Sequence, residues 1–342
     1  MKEKKLTSLI ILNEALADPT DISSSPSAQY LMRKLGSDEL RFVMRGETPP
    51  EHFNIFKNDE NFSIVLKKIL FDKNYREQLL LTFDNMREYL KNCDKVWIRL
   101  PSGLSFICMI ILHRELKKRK VAIHICAQRL TLRRLLERGT LNYFMRWLLG
   151  LTITIYLFIF WRNSADFYYT GNHVRSAFFL PWRSQYLIDA ILERNNTKEH
   201  LNGEVLKVAY FGRCEKISPK SFALFKERFP EALLSLYGPK PPLHPELNLH
   251  YVGYVSPDNV VHEMREFDAI FACSDEYYEG FPRTVAQAIC SGKSIILNRD
   301  ACFFEDVKSY DRLILIDDKD RGNVTKKPDF CDEIQSATNL HF

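Results

Sequence analysis

The sequence predicts an α/β protein made of two doubly wound, parallel-sheet domains. Short β-rich runs alternate with longer helical patterns through the first half, and the alternation begins again after a polar stretch at 194–204. The 342 residues, 46% hydrophobic and 27% charged, are enough for two ordinary cores. We therefore place an amino-terminal domain at 1–190 and a carboxyl-terminal domain at 191–342. We expect the ligand in a cleft that the carboxyl ends of both sheets face.

The first domain is predicted to alternate strands with helices from its start. Its strands are expected at 8–12, 40–44, 95–99, 121–126 and 167–170. Its helices are expected at 27–35, 75–91 and 105–118. Because helical crossovers join successive strands, the sheet should be parallel.

The second domain repeats this alternation with shorter helices. Its strands are expected at 206–211, 233–237, 249–254, 269–273, 294–297 and 312–316. Its helices are expected at 219–229, 258–266 and 282–289. Two sheets of similar construction follow from this order.

The charge and the cysteines restrict location and partners. A net charge of +5, from 48 bases and 43 acids, is too balanced for a dedicated nucleic-acid binder but suits anionic ligands or an anionic membrane surface. Eight cysteines without a CxxC pair are typical of reduced thiols, which favours the cytoplasm. The histidines form no zinc spacing, so no metal is expected.

A charge-free apolar run occupies 147–161, WLLGLTITIYLFIFW, between Arg146 and Arg162. As a helix these 15 residues span about 22 Å, less than the roughly 30 Å of a bilayer core. Three interpretations stay open. The helix is buried in the first domain, it inserts into one leaflet with Trp and Arg at the head groups, or it crosses the membrane.

Two common phosphate-binding motifs are missing from the sequence. No GxGxxG follows the first strand, and no GxxxxGK[ST] occurs. Redox chemistry with a dinucleotide and hydrolysis by a P-loop therefore lose support.

The stretch EGFPRTVAQAICSGKSIIL, 279–297, predicts a phosphate site. It follows a strand and a short acidic loop. Gly280 lets the backbone approach a ligand, and Pro282 suits the first turn of a helix. The amides at the helix start, with the positive end of the helix, would receive a phosphate or diphosphate.

Two polar residues of this stretch are spaced to face one ligand. Glu279 and Gln287 are eight residues apart, slightly more than two helical turns. Such a pair suits the hydroxyls of a sugar nucleotide. Ala286, Ala288 and Ile289 would form the packed face of the helix.

These residues resemble the carboxyl-domain signature of the retaining GT-B glycosyltransferases of family 4, whose pattern is a glutamate, seven residues and a second glutamate. Here Glu279-Gly280-Phe281-Pro282 is followed by Gln287 and by Ser291-Gly292-Lys293 ahead of a strand. The stretch VAYFGR, 208–213, is similar to the first strand of that domain. HYVGYVSPDNVVHEMREFD, 250–268, is similar to a later module of it.

The resemblance implies two Rossmann-like domains that face a cleft, and transfer of a sugar from a nucleotide donor with retention and without a bound metal. It implies catalytic roles for Glu279 beside the donor sugar and for Arg213 with Lys220 at the diphosphate. The implied donor-binding residues are Gly212, Lys216, Gly280, Phe281, Pro282, Arg283, Thr284 and, near the ribose, Gln287. No cofactor besides the UDP- or GDP-linked donor is implied.

Segments of the first half are similar to bacterial polysaccharide-building members of that family. They are LRFVMRG at 40–46, VWIRLPSG at 96–103 and ADFYYTG at 165–171. This likeness implies a lipid-linked glycan acceptor, a role in capsule or O-antigen synthesis, and a cytoplasmic protein that is peripheral on the inner membrane face.

The sequence departs from the family pattern at several points. Gln287 replaces the second glutamate, and IHICAQRL at 123–130 lacks the expected acceptor-side Asp, which leaves His124 and Gln128 as substitutes. The roughly 24 residues after Asp318 are few for the family's terminal helices. Two alternatives therefore stay open, a non-catalytic relative that binds a nucleotide sugar or a partner, and a sugar-nucleotide epimerase.

Overall fold

The computed structural model describes residues 6–15, 20–22, 25–45, 51–56, 62–127, 136, 140–188, 190, 192, 206–217, 219–239, 241, 250–272 and 280–317. The chain divides into two compact units. In the sequence, the described part of the first unit ends at Leu187, and that of the second begins at Ile188. Each unit contains its own parallel sheet. The predicted fold class, two parallel-sheet α/β domains, is confirmed.

The strands of the first unit are β1 Thr7–Ala15, β2 Glu39–Arg45, β3 Phe53–Phe56, β4 Lys95–Leu100, β5 Lys120–Ile125, β6 Asp166–Tyr169 and β7 Gln185–Tyr186. Its helices are α1 Pro26–Leu35, α2 Phe62–Phe71, α3 Lys73–Asn92, α4 Gly103–Ile111, α5 His113–Leu116, α6 Leu141–Tyr156 and α7 Asn172–Ala177. A π-helical turn, Leu157–Trp161, continues α6. The predicted strands are all present, whereas β3, α2, α7 and β7 were not predicted.

The seven strands are ordered β3-β2-β1-β4-β5-β6-β7, and every pair is parallel. Both faces of the sheet are covered. Leu9 and Ile11 of β1 belong to one core, and Ile10 and Leu12 belong to the core on the other face. Successive side chains of a strand point to opposite faces, so a strand buried on both faces needs a continuous apolar run.

The apolar run at 147–161 forms a helix that is longer than its uncharged part. It begins at Leu141 and ends at Trp161. Its segment Tyr143–Trp161 is long and apolar enough to cross a membrane by length and composition, and only 28% of the apolar window is buried. A helix buried in the domain core is therefore the wrong interpretation for most of this segment.

The second unit has strands β8 Lys207–Phe211, β9 Leu233–Tyr237, β10 His250–Gly253, β11 Ala269–Phe271, β12 Ser294–Leu297 and β13 Leu313–Leu315. Its helices are α8 Pro219–Arg228, α9 Val260–Met264, α10 Arg283–Cys290 and α11 Phe304–Val307, with a 3₁₀ turn at Cys214–Lys216. The strand order is β10-β9-β8-β11-β12-β13, again with parallel pairs. The strands predicted for this half are confirmed.

The order of the second sheet reverses direction between β8 and β11. Strands β9 and β10 lie on one side of β8, and strands β11, β12 and β13 lie on the other side. The crossovers on the two sides leave the sheet in opposite directions, so a crevice opens beyond the carboxyl ends of β8 and β11. Open α/β sheets bind their ligands at such a point.

Candidate functional site

The candidate site lies at the carboxyl edge of the second sheet, where β8 and β11 are neighbours. Ala269 of β11 pairs with Val208 of β8, and Ile270 pairs with Ala209. The two strands therefore end at the same edge, about 5 Å apart. The segment after β8 carries Arg213, and the segment after β11 leads to α10. The Arg213 segment and α10 thus follow adjacent strands along the chain.

The segment after β8 is held in a defined turn. The amide of Gly212 donates to the carbonyl of Tyr237 at 2.9 Å, and Gly212 has φ +155°. The hydroxyl of Tyr210 donates to the carbonyl of Arg213 at 3.0 Å. The amide of Lys216 also donates to that carbonyl, at 2.9 Å, inside the 3₁₀ turn. Arg213 itself is exposed, so its guanidinium is available to a ligand while its backbone is fixed.

A close approach of two backbones supports this turn. Gly238 follows β9, and a Cβ atom built on it would collide with the carbonyl oxygen of Gly212 and would lie 2.9 Å from Sγ of Cys214. The amide of Gly238 donates to the carbonyl of Gly253 at 2.8 Å. Gly238 therefore joins the ends of three neighbouring strands, β8, β9 and β10. Gly238 was not among the predicted site residues, although a Gly-Pro pair directly after a strand is a turn signal.

Lys220 extends across the same edge. It is the second residue of α8, which follows β8, and its Nζ lies 3.9 Å from a carboxylate oxygen of Asp300. Asp300 follows β12, and β11 separates β12 from β8 in the sheet. The ammonium therefore lies toward the end of β11. Asp300 was missed by sequence reasoning, because the two residues are 80 positions apart and only the strand order brings them together.

The start of α10 lacks a side-chain cap. Pro282 occupies the N-cap position with φ −67° and ψ 132°, and its ring carries no hydrogen-bond acceptor. The amides of Val285 and Ala286 donate to the carbonyl of Pro282 at 3.1 and 3.2 Å. The amide of Thr284 precedes these in the first turn, where a helix supplies no carbonyl acceptor of its own. Thr284 is half-buried.

Some described helices use a side chain at this position, whereas α5, α7, α9 and α11, like α10, have no side-chain cap. Ser25 caps α1, Asp72 caps α3 and Ser102 caps α4, each by accepting an amide hydrogen bond from the first turn. Such oxygens satisfy the first amides from within the protein. Pro282 supplies no such oxygen, so the start of α10 is compatible with an anion.

The residues around Pro282 are firmly packed. Gly280 is buried, and the ring of Phe281 packs edge-on against Phe303 with centroids 6.0 Å apart. Phe281 therefore acts as a packing residue that fixes the loop in front of α10. The predicted contact of Phe281 with the donor remains a prediction, and it concerns the backbone of this residue.

Gln287 lies one turn beyond Arg283 on the same side of α10 and is 7% exposed. Ala286, Ala288 and Ile289 are buried, as the predicted packed face requires. Glu279 lies outside the described residues, and its proposed position beside the donor sugar therefore stays a prediction.

The acceptor-side candidates of the first unit give a clearer result. His124 is completely buried on β5 and bonds through Nε2 to Oγ1 of Thr170 at 2.8 Å. The Thr170 hydroxyl donates to the carbonyl of Leu187 at 3.1 Å, so the imidazole Nε2–H is the donor to Thr170. His124 is thus a packing residue between strands. Gln128 lies outside the described residues.

The described residues contain no group of three His, Cys, Asp or Glu side chains placed to hold a metal ion. The cationic and amide groups of the second unit instead suit a phosphorylated ligand.

No family model matches the chain. No curated protein matches it either. Among solved structures, it resembles a sucrose-phosphate synthase from Thermosynechococcus elongatus, with TM-score 0.57 and 13% identity over 92% of this chain and 87% of that one.

Two further solved structures have the same architecture. An α,α-trehalose 6-phosphate synthase from Burkholderia multivorans gives TM-score 0.55 at 9% identity, over 92% of this chain and 88% of that one. S. aureus MnaA with UDP gives TM-score 0.51 at 12% identity, over 98% and 92%. The two parallel-sheet α/β domains match GT-B glycosyltransferase structures.

Proposed function

We propose that the chain is a nucleotide-sugar-dependent glycosyltransferase, with the donor diphosphate bound at the carboxyl edge of the second sheet. One observation carries the proposal. Arg213 follows β8 and the proline-started helix α10 follows β11, the two adjacent strands at which the sheet order reverses. The likeness to a sucrose-phosphate synthase and to MnaA with UDP supports the same assignment.

The chemistry follows from the charge that develops during transfer. As the bond from the sugar to the diphosphate breaks, negative charge grows on the departing nucleotide. The guanidinium of Arg213, the ammonium of Lys220 and the positive end of α10 would stabilise that charge. Glu279 would lie beside the donor sugar, and Gln287 would hydrogen-bond near the ribose. We further propose retention of the anomeric configuration and no requirement for a metal.

The acceptor belongs to the same proposal. A lipid-linked glycan in bacterial capsule or O-antigen synthesis fits the basic and apolar first unit. The protein would then work in the cytoplasm, on the inner face of the membrane. The donor would be linked to UDP or GDP.

The first experiment measures nucleotide binding by thermal shift with UDP and GDP. A ligand at a hundred times its Kd stabilises the folded state by about 2.7 kcal/mol, which is readily seen. Arg213→Gln removes a charge-assisted hydrogen bond and should weaken binding by about 2 kcal/mol, about 30-fold in Kd. Lys207→Gln is the matched control, because Lys207 is an exposed base at the opposite end of the same strand. Equal losses in both variants would remove Arg213 from the site.

The second experiment follows turnover across a panel of sugar nucleotides by NMR. A transferase should slowly hydrolyse one donor without an acceptor, release a sugar of retained configuration, and keep its rate in EDTA. Glu279→Gln should lower that rate and spare nucleotide binding.

A non-catalytic relative is the second candidate, because His124 is fully buried and Gln287 replaces a charged residue. Binding without turnover of any donor would support that relative, and interconversion of two donors would support an epimerase.

A further inference from the structure

An apolar stripe runs along the outer side of the long helix Leu141–Trp161. Its members are large apolar side chains that are 39–76% exposed: Leu141, Phe144, Leu148, Ile155, Phe158 and Ile159. They recur mostly at intervals of three, four or seven residues, so they lie along one side of the helix. Large exposed apolar surfaces of this kind mark binding sites for proteins or membranes.

The opposite side of the helix is anchored in the first unit. Ile153, Leu157 and Trp161 are buried in the core beside the sheet. Nδ1 of His113 lies 2.7 Å from the hydroxyl of Tyr156, which in turn donates to the carbonyl of Met109 at 2.9 Å. The stripe is therefore a fixed part of the unit and faces outward.

Basic and aromatic side chains border the carboxyl end of the stripe. The guanidinium of Arg162 stacks over the ring of Phe158 at 4.8 Å. Arg183 donates to the carbonyl of Arg162 at 3.0 Å, and the neighbouring Trp182 is 87% exposed. Between residues 141 and 183 the sequence has four arginines and a single acid, Asp166. Trp and Arg side by side are typical of the lipid head-group region.

The way the helix is anchored decides between lying on a membrane and crossing it. Its 21 residues, about 30 Å, would suffice for a span. However, Trp161 is completely buried, and lipid cannot surround a helix end that is packed in a protein core. None of the described side chains from Leu141 to Leu148 is buried, so that half projects farthest from the core. The geometry fits a helix that lies in the plane of the interface.

We propose that this stripe docks the first unit onto an anionic lipid bilayer. The apolar side chains enter the boundary between head groups and acyl chains, and Arg162 and Arg183 contact lipid phosphates. A second copy of the chain fits less well, since the stretch 141–183 of that copy offers the arginines a single acid, Asp166. The inference deepens the proposed lipid-linked acceptor, but no part of it depends on the nucleotide site.

The test is co-sedimentation of the full chain with large unilamellar vesicles. Vesicles of phosphatidylcholine with phosphatidylglycerol should bind the chain at least about fivefold more strongly than phosphatidylcholine alone, because each base near an anionic surface adds attraction. The double variant Ile155→Gln, Ile159→Gln should lose at least about tenfold in partitioning. Leu80→Gln, Leu81→Gln is the matched control, because these leucines are equally exposed on α3 of the same unit.

Three outcomes would overturn the proposal. One is equal vesicle binding by the stripe variant and the wild type, with circular dichroism showing both folded. Another is retention in the membrane pellet after alkaline carbonate washing, which would indicate a span. The third is a wild-type chain that does not bind vesicles and forms a dimer, together with a stripe variant that is a monomer. The UDP and GDP thermal shift is measured in parallel, so that a failed nucleotide site with intact vesicle binding is recognised separately.

Discussion

Gly238 and Gly212 approach so closely that the carbonyl oxygen of Gly212 occupies the place where a Cβ atom of Gly238 would be. The two residues follow neighbouring strands, β9 and β8. Since Gly212 is next to Arg213, this contact sets the height of the Arg213 backbone above the edge of the sheet. Because Gly238 has no side chain, the Gly212 carbonyl can lie against it, and the backbone of the neighbouring Arg213 is positioned accordingly.

Gly238→Ala should lower the free energy of unfolding by about 1–3 kcal/mol, the usual range for an extra methyl group in a packed site. It should also weaken UDP or GDP binding, because the Arg213 segment must move. Urea unfolding and the nucleotide thermal shift measure the two effects. Gly36→Ala is the control: Gly36 has φ +56° but no atom within 4 Å of the added Cβ. It should cost about 1 kcal/mol and leave nucleotide binding unchanged.

Asp300 should compete with the donor diphosphate for Lys220. The pair is 3.9 Å apart and both side chains are well exposed, so its contribution is small, about 0.2–1 kcal/mol. Asp300→Asn should therefore tighten nucleotide binding by about 1.4- to fivefold, and Lys220→Gln should weaken it. Isothermal titration at low and high salt measures both. If Asp300→Asn weakened binding, the carboxylate would have to hold Lys220 in place instead.

Gln287→Glu should destabilise the chain although it would complete the spacing of two glutamates that the sequence resembles. The side chain is 7% exposed, and a buried carboxylate costs about 1–3 kcal/mol more than a buried amide. Burial would raise the pKa of the new carboxyl above its unfolded value, so the loss should grow as the pH rises from 5 to 7.5. Gln78→Glu, on an exposed position of α3, is the control. A Gln287→Glu variant as stable as the wild type at pH 7.5 would contradict the expectation.

The stability of the first unit should fall in mild acid. Burial, followed by the nearby charge of Lys117, lowers the pKa of His113 from its ordinary 6.5, and burial lowers the pKa of His52 as well. The folded chain therefore binds these protons less readily than the unfolded chain. Their contribution is complete above pH 6.5 and is lost as the pH falls through 6.5 and below.

His113→Gln tests this dependence, since it removes the titrating group beside Tyr156. Urea midpoints are compared at pH 7 and pH 5. The variant should lose less stability between the two values than the wild type, while the share from His52 remains. Identical losses would exclude His113 as a contributor.

The strand and helix pattern was predictable because it depends on neighbours in the sequence. Continuous apolar runs such as that of β8 indicate strands buried on both faces. Pro282 after Gly280 indicated where α10 begins, and the structure starts the helix at Arg283. By contrast β3, only four residues long, lacks a distinctive pattern and was missed.

The orientation of the long apolar helix could not be predicted from its composition. The composition of the run from Trp147 to Trp161 does not show which of its sides is buried and which faces outward. Packing decided it: Ile153 and Trp161 face the sheet, and Ile155 and Ile159 face outward.

By itself, the sequence determined the two parallel α/β units, the course of their strands and the proline-started helix that follows an acidic loop. These features are local, because the spacing of apolar side chains that distinguishes a strand from a helix involves only residues close together in the sequence. Only the tertiary structure decided that Arg213 and α10 follow adjacent strands, that Lys220 lies near Asp300, and that Gly238 packs against Gly212. These relationships join residues up to 80 positions apart, and they arise from a strand order that the packing of whole sheets selects.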